Sequence, residues 1–408
     1  MPEVLAAFDP FSPEFAADRY PIYSRYLAAG PVHFGVPSAP GSTGTWYVFA
    51  HDALTANLKD GRYVRELDKL MPGRPKPEMP EPYRPFWEMA SHWMLFKDPP
   101  DHTRLRAVVS RAFTPRRVRE LATKIEASAH SLLDDARRDG EIDLIAEYAY
   151  PLPVFVIADL IGIDPSERDA LRRWSAAISA AIDMRSSTDV YGPASDAARE
   201  IKAFLEDFIA ERTREPRDDL ISALIASRDD DHRLDDEELV ATLVLLLVAG
   251  HETTTNLIGN GTLALLQHPE QLRRLQQDKA LVENAVEELL RYDSPIQAVH
   301  RFASEDMTIA EQAIPALAPV SFMVGAANRD PAVFEHPDRL DVTRQVGRHT
   351  AFGLGIHFCL GAPLARLEAT IAFRALLDHA PQLALAESEP AWRPGVIFRG
   401  LERLPVTF

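Results

Sequence analysis

The chain has 408 residues, 46% of them hydrophobic and 26% charged, with a formal net charge of −17. Such a length and apolar content suffice for a large buried core, and the composition is that of a soluble globular protein. The acidic balance disfavours duplex nucleic acid and anionic membranes as partners, and a single cysteine excludes an internal disulfide or a multi-cysteine metal site.

The first ten residues lack the basic region and apolar run of a signal peptide. The longest apolar run, 243–249, is far short of a membrane span. A cytoplasmic protein with no membrane association is expected. Along the chain, 18–29 reads as a short helix, followed by strand-like pieces at 32–34 and 45–50 and a helix at 51–58. Six prolines between Pro72 and Pro85 exclude a continuous helix or central strand there. That stretch is a solvated loop or a lid. Helical patterns then dominate: one capped by Asp98-Pro99, one opened by Thr114-Pro115 and ending near Gly140, and others over 143–161, 165–183, 195–213 and 217–227. The acidic run 229–238 suits a solvated turn and a helix start. A helix over about 235–266 is apolar all round at its centre, which predicts that it runs through the core. After a helix ending at Tyr292, prolines and short β-like pieces increase.

Three groups of residues carry chemistry. Cys359 lies in Phe352-Gly-Leu-Gly-Ile-His-Phe-Cys359-Leu-Gly361, just before a helical pattern. A lone thiol there is a candidate nucleophile or single axial metal ligand, and the helix N-terminus should favour its thiolate. The glycines permit a sharp turn and close approach to a flat cofactor. A zinc site at His357-x-Cys359 fails on ligand count. In the buried helix, Glu252 and Thr253 are an acid and a hydroxyl in apolar surroundings, which is costly unless they are bonded. Threonine can bond back to the carbonyl one turn earlier, and Gly250 eases the loosening. Finally, Glu288 and Arg291 are three apart and His102 and Arg106 four apart, so each pair shares a helix face.

The segment 352–361 resembles the haem-ligand loop of cytochromes P450, with the aromatic, the glycines, His357 and Cys359 at family spacing. Ala249-Gly-His-Glu-Thr-Thr254 resembles the family's oxygen-activation motif, Glu288-Leu-Leu-Arg291 its Glu-x-x-Arg, and 328–341 its meander. The likeness is to a soluble bacterial P450. It covers nearly the whole chain, most strongly 98–118, 243–256, 285–303 and 326–368. It implies a mainly α fold with a small β part, a long buried distal helix and a haem-thiolate loop. It also implies one domain over 1–408, helix-rich at 98–292 and strand-rich near 30–50 and 295–408.

The resemblance further implies a monooxygenase. It would insert one atom of O2 into a mostly apolar small molecule, as in secondary metabolism. Haem b is the implied cofactor, with Cys359 as proximal ligand donating electron density that favours O–O cleavage. Thr253 and Glu252 would handle protons. His102, Arg106, Arg301 and His357 would hold the propionates, and Phe352, Gly361 and Ala249 would also contact the cofactor. Met94, Leu95, Val248, Ile296, Val299, Ile397 and Phe398 would line the substrate side, although each also fits an ordinary core. Glu288, Arg291 and Arg339 would form a bracing triad. No dinucleotide, phosphate-loop or flavin motif stands out. Electrons would therefore come from a ferredoxin and its reductase. That carrier would dock on cations among Arg104, Arg116, Arg117, Arg348 and Arg366, with Arg104 expected exposed. A monomer is expected. Two other readings of the scaffold are a haem-thiolate sensor without turnover and a peroxide-driven or oxidative-coupling enzyme. The intact acid–threonine pair argues against both.

Overall fold

A computed structural model of the protein describes residues 5–37, 44–73, 79–136, 140–183, 189–227, 234–387 and 390–408. Helices form the bulk of it, and the strands gather into small sheets. The largest sheet has five strands in the order Val32–Gly35, Thr45–Val48, Pro319–Phe322, Val299–Ala303, Tyr63–Val64. Its one parallel pairing sets Trp46 opposite Val320 and joins the two ends of the chain. A second sheet places Pro405–Thr407 between Glu141–Asp143 and Ala384–Leu385.

The axis of the molecule is the helix Asp236–Gln267, 32 residues long and about 48 Å from end to end. Asp235 starts it with a reciprocal capping box: its side chain accepts from the Glu238 N–H, and the Glu238 carboxylate accepts from the Asp235 N–H. Residues 229–233 of the acidic run lie outside the described residues. By length and composition the helix could cross a membrane, yet 83% of its most apolar stretch is buried within the protein. Between Leu239 and Leu265 every residue is buried except Leu246, Ala249, Gly250 and Thr253. At 100° per residue these four form one narrow stripe on one face.

Two expected boundaries move. The segment 143–161 is not one helix: Asp143 ends a strand, residues Ile145–Ala149 form a wide π turn, and the α-helix runs Pro151–Ile161. Pro151 has no N–H for the α ladder, and the Asp143 carboxylate accepts from Ile145 N and Leu404 N, which ties the chain to the sheet. Asp98 does not cap a helix either. The helix is Asp101–Ala112, and the Asp98 carboxylate is spent on the backbone N–H groups of Arg65 and Glu66. Of the proline-rich stretch, 74–78 lie outside the described residues. The remainder leads through a 3-10 turn, Glu81–Tyr83, into the helix Arg84–Ser91, whose first turn tolerates Pro85.

Candidate active site

The cysteine loop is a tight hairpin. Cys359 N donates to Phe352 O at 2.9 Å, and Gly353 N to Thr350 O at 2.8 Å. Gly355 has φ +70°, and a Cβ there would lie 2.8 Å from Leu58 O, so only glycine fits. The helix Ala362–His379 follows directly. Burial pushes the Cys359 thiol up, while the N–H groups of Gly361 and Ala362 and the guanidinium of Arg106 pull it down. The N–H groups at the helix N-terminus act in the expected direction, toward the thiolate, but burial opposes them. Desolvation wins over the dipole, and a bound metal ion would have to complete the deprotonation.

Beside this loop lies a cluster of basic groups. His102 is buried and its ring centroid is 4.3 Å from that of His357. Arg301, also buried, donates to His300 O at 2.7 Å, as does Arg65 at 2.7 Å. Arg106 reaches the loop itself and donates to Phe358 O at 2.7 Å. Among the described residues, Asp98 is the carboxylate that offsets these charges. Burial, then mutual repulsion, brings Arg65 down to about 9, His300 to about 3 and His357 to about 2. Burial likewise lowers Arg301 to about 10. The ring nitrogens His102 Nδ1, His300 Nε2 and His357 Nε2 are buried without a hydrogen-bond partner. Surplus positive charge with unpartnered donors fits a group bearing two carboxylates. Arg65 and His300 were not anticipated from sequence. Nothing near residue 65 marks it, because it joins the cluster through contacts with residues distant in sequence, 95, 96, 98 and 300.

On the long helix, Thr253 Oγ1 and Thr254 Oγ1 donate to the carbonyls of Ala249 and Gly250, each at 3.0 Å. Thr253 and Ala249 belong to the uncovered stripe, whereas Glu252 is buried. The Glu252 Oε1 atom accepts from Arg393 at 2.7 Å and from Asn256 at 3.3 Å. Phe352 and Gly361 are half-buried on the cysteine loop.

The expected substrate-lining residues divide. Met94 and Leu95 share a 3-10 turn, with Leu95 exposed. Ile296 bridges Phe398, and Gln297 N donates to Ile397 O at 2.7 Å, so these segments lie side by side. Val299 opens its strand, half-buried. The turn carrying Ile397 and Phe398 is clasped by Asp183, whose Oδ1 accepts from the N–H groups of Val396, Ile397 and Phe398 at 3.1, 2.8 and 3.4 Å. Val248 is the correction. It is 2% exposed and packed in the main core, one step of helical phase away from the stripe that Leu246 and Ala249 occupy.

The bracing set is also corrected. Arg291 and Glu288 are both fully buried and doubly bonded, at 2.7 and 2.9 Å. The third arginine is Arg344, whose Nε meets Glu288 Oε1 at 3.1 Å. Arg339 turns its side chain outward and offers only its carbonyl to Arg291 and Arg344. Of the five cations expected to meet an electron carrier, four are already paired: Arg104 with Glu238, Arg116 with Glu120, Arg117 with Asp218 and Arg366 with Glu287. Arg104 is accordingly half-buried rather than exposed.

The basic cluster makes a prediction for the haem-free protein. His300 stays neutral in the fold down to about pH 3, whereas an unfolded histidine protonates near 6.5. Within that window the unfolded chain binds the extra proton. Stability is therefore fully present above about 6.5 and falls at ~1.4 kcal/mol per pH unit below it. The lowered His102 acts in the same direction. Bound carboxylates would offset the cluster and flatten the slope. Thermal unfolding of haem-free and haem-loaded protein at pH 7 and 5 checks this: the haem-free form should lose far more.

The cytochrome P450 family model matches residues 187–380. The biotin biosynthesis cytochrome P450 of Bacillus subtilis is 41% identical over 97% of this chain and 98% of that protein. The 6-deoxyerythronolide B hydroxylase of Saccharopolyspora erythraea is 40% identical over 97% of each. The solved structure of P450BioI in complex with a hexadec-9Z-enoic acid ligated acyl carrier protein has a TM-score of 0.89 at 40% identity. It covers 97% of this chain and 100% of that one. Members of this family bind haem b through a cysteine thiolate, and the cysteine loop, the uncovered stripe and the only partly compensated basic cluster all fit that group. The chain belongs to the cytochrome P450 family, and its activity is that of a haem-thiolate monooxygenase.

Proposed function

We propose that this protein, as one cytoplasmic, monomeric domain over 1–408, hydroxylates a mostly apolar small molecule, with electrons from a ferredoxin and its reductase. The balance is R–H + O2 + two electrons + two protons giving R–OH and water. The carrying observation is the uncovered stripe of Leu246, Ala249, Gly250 and Thr253, with the buried acid Glu252 beside it. Haem b, when bound, supplies the oxidising chemistry.

The chain's residues supply the rest. Cys359 is the ligand. His102, Arg106, Arg301 and His357, joined by Arg65 and His300, would hold the two propionates, and Phe352, Gly361 and Ala249 would contact the cofactor. Met94, Leu95, Ile296, Val299, Ile397 and Phe398 give the substrate apolar contacts and exclude water. A long acyl or polyketide-like chain suits such a lining, and the relatives' printed ligands support that class. Thr253 Oγ1 presents a proton at the uncovered stripe, and Glu252 replaces it. With Arg104, Arg116, Arg117 and Arg366 in ion pairs, Arg348 is the exposed one of the five that forms no ion pair among the described residues, which favours it for docking a carrier.

A substrate library screened for the haem spectral shift identifies ligands. With any that bind, Thr253→Ala should divert electrons to hydrogen peroxide and lower product per NADPH by about tenfold. Unchanged coupling would overturn the proton role.

A further inference from the structure

The helices Ala122–Ala136 and Ala362–His379 pack against each other. Ala129 and Leu133 from the first and Ala372, Ala375 and Leu376 from the second are buried in the main core, so apolar contacts hold the seam. At its edge two histidines that the proposed reaction does not use face each other. His130 Nδ1 lies 2.6 Å from His379 Nε2, with the ring centroids 4.9 Å apart and the planes at 49°. The other nitrogen of the second ring, His379 Nδ1, lies 3.4 Å from Asp134 Oδ1. Asp134 is one turn beyond His130 on the same helix, so the three side chains gather at one corner.

The carboxylate decides where the hydrogens sit. An ionised carboxylate can only accept, so with neutral rings His379 carries its hydrogen on Nδ1 and its Nε2 is a lone pair. His130 then donates from Nδ1 to that lone pair. A bare hydrogen bond between two rings would account for this contact alone. Asp134 adds what a bare contact does not need. It fixes the tautomer of His379 and raises the basicity of the nitrogen aimed at His130, which is how ligating histidines are commonly held. His379 is also the last residue of its helix, and the carbonyl end of a helix favours a cation. The neighbouring carboxylate of Asp378 is paired with Lys279 and stays out of the set.

We propose that His130 and His379 form a binding site for a divalent transition metal ion, such as zinc, between the two helices. The ion replaces the shared hydrogen. It takes His379 Nε2 and His130 Nδ1, and His130 moves its proton to Nε2, so no proton is gained or lost. Asp134 stays behind His379 and orients it. At a zinc–nitrogen bond of about 2.05 Å, tetrahedral ligands stand about 3.3 Å apart. From the present 2.6 Å the nitrogens must part by about 0.7 Å. Both rings are half-buried, so a small side-chain rotation suffices while the seam stays packed. Among the described residues no third His, Cys, Asp or Glu completes a ligating set, and water fills the rest of the shell. Imidazole donors suit zinc, nickel and copper, and select against magnesium and calcium, which take oxygen. The helix Ala362–His379 leaves the cysteine loop directly, so a bound ion ties the far end of that helix to its neighbour.

Calorimetric titration of the untagged, haem-loaded protein with zinc chloride tests the site. The parent should bind one zinc ion in the micromolar range, and magnesium chloride should give no saturable binding. His130→Ala and His379→Ala should each weaken zinc at least about tenfold, with the haem spectrum unchanged. His130→Gln and His379→Gln keep a polar group at the seam and replace any alanine variant that fails to fold. Asp134→Asn, which retains both rings, should also weaken zinc by about tenfold. Saturating zinc should raise the thermal midpoint of the parent and leave that of the histidine variants unmoved. The chain has 13 histidines, so unchanged affinity in both histidine variants would place the ion elsewhere and overturn the site. Binding no tighter than millimolar in the parent would overturn it as well. Zinc lost in the histidine variants but untouched by Asp134→Asn would support the site and overturn the part assigned to the carboxylate.

Discussion

A Cys359→Ser variant is expected to fold and yet to lose at least about a thousandfold in product formation, equivalent to ~4 kcal/mol of barrier. Serine is nearly the same size, and the hairpin is held by backbone bonds, Cys359 N to Phe352 O and Gly353 N to Thr350 O, that do not use the side chain. What changes is the ligand. An alkoxide is far harder to form than a thiolate, and the electron donation that favours O–O cleavage goes with the sulfur. No other residue can take over. The chain has a single cysteine, and His357, two positions away, is turned against His102 in the basic cluster. The carbon monoxide difference spectrum of the reduced, haem-loaded variant should leave the thiolate-ligated position. Retention of both the band and the activity would refute the assignment of Cys359.

Glu288→Ala should cost about 3–5 kcal/mol, because it strands buried charge rather than merely deleting a bond. Arg291 is fully buried and loses both of its carboxylate contacts, and Arg344 loses its one. The damage does not stay local. Arg291 also donates to Asn328 O at 3.0 Å, the Asn328 side chain accepts from Thr350 N at 2.7 Å, and Thr350 O accepts from Gly353 N in the cysteine loop. The pair is thus three links from the turn that aims the sulfur. Urea unfolding of the haem-loaded variant should show the lower midpoint, together with faster haem loss. Glu288→Ala should be worse than a double replacement of Glu288 and Arg291 by apolar residues, since the double change leaves no orphaned Arg291 charge. A single variant as stable as the parent would show that Arg291 is solvated from elsewhere.

Much of the site was legible because its parts are local in sequence. Ten consecutive residues define the cysteine loop, and the acid–threonine pair sits within one helical turn. The capping of the long helix and its burial follow from Asp235, Glu238 and the apolar run. Legibility failed where distant segments converge. Arg65 enters the basic cluster from a different part of the chain than His102 and His300, and no spacing rule links them. Arg344 rather than Arg339 completes the buried triad because the direction of a loop side chain depends on turns that spacing does not encode. Val248 misled by one helical step: the apolar run does not say which phase faces the core, and the structure puts Leu246 and Ala249 on the open side. The surface arginines misled for a related reason. Two of their partners, Glu238 for Arg104 and Asp218 for Arg117, lie more than a hundred residues away.

The three-pronged grip of Asp183 on residues 396–398 bears on attempts to redesign specificity. The helix Arg168–Ile182 ends at that aspartate, and a side chain at Gly395 would collide with its carboxylate. Helix end and turn are therefore riveted together. Enlarging the chamber by trimming Ile397 or Phe398 leaves the rivet in place, whereas a change at 183 or 395 frees two walls at once. Libraries confined to apolar wall positions will sample new contours within a fixed frame, and accommodating a bulkier guest will require loosening the frame itself.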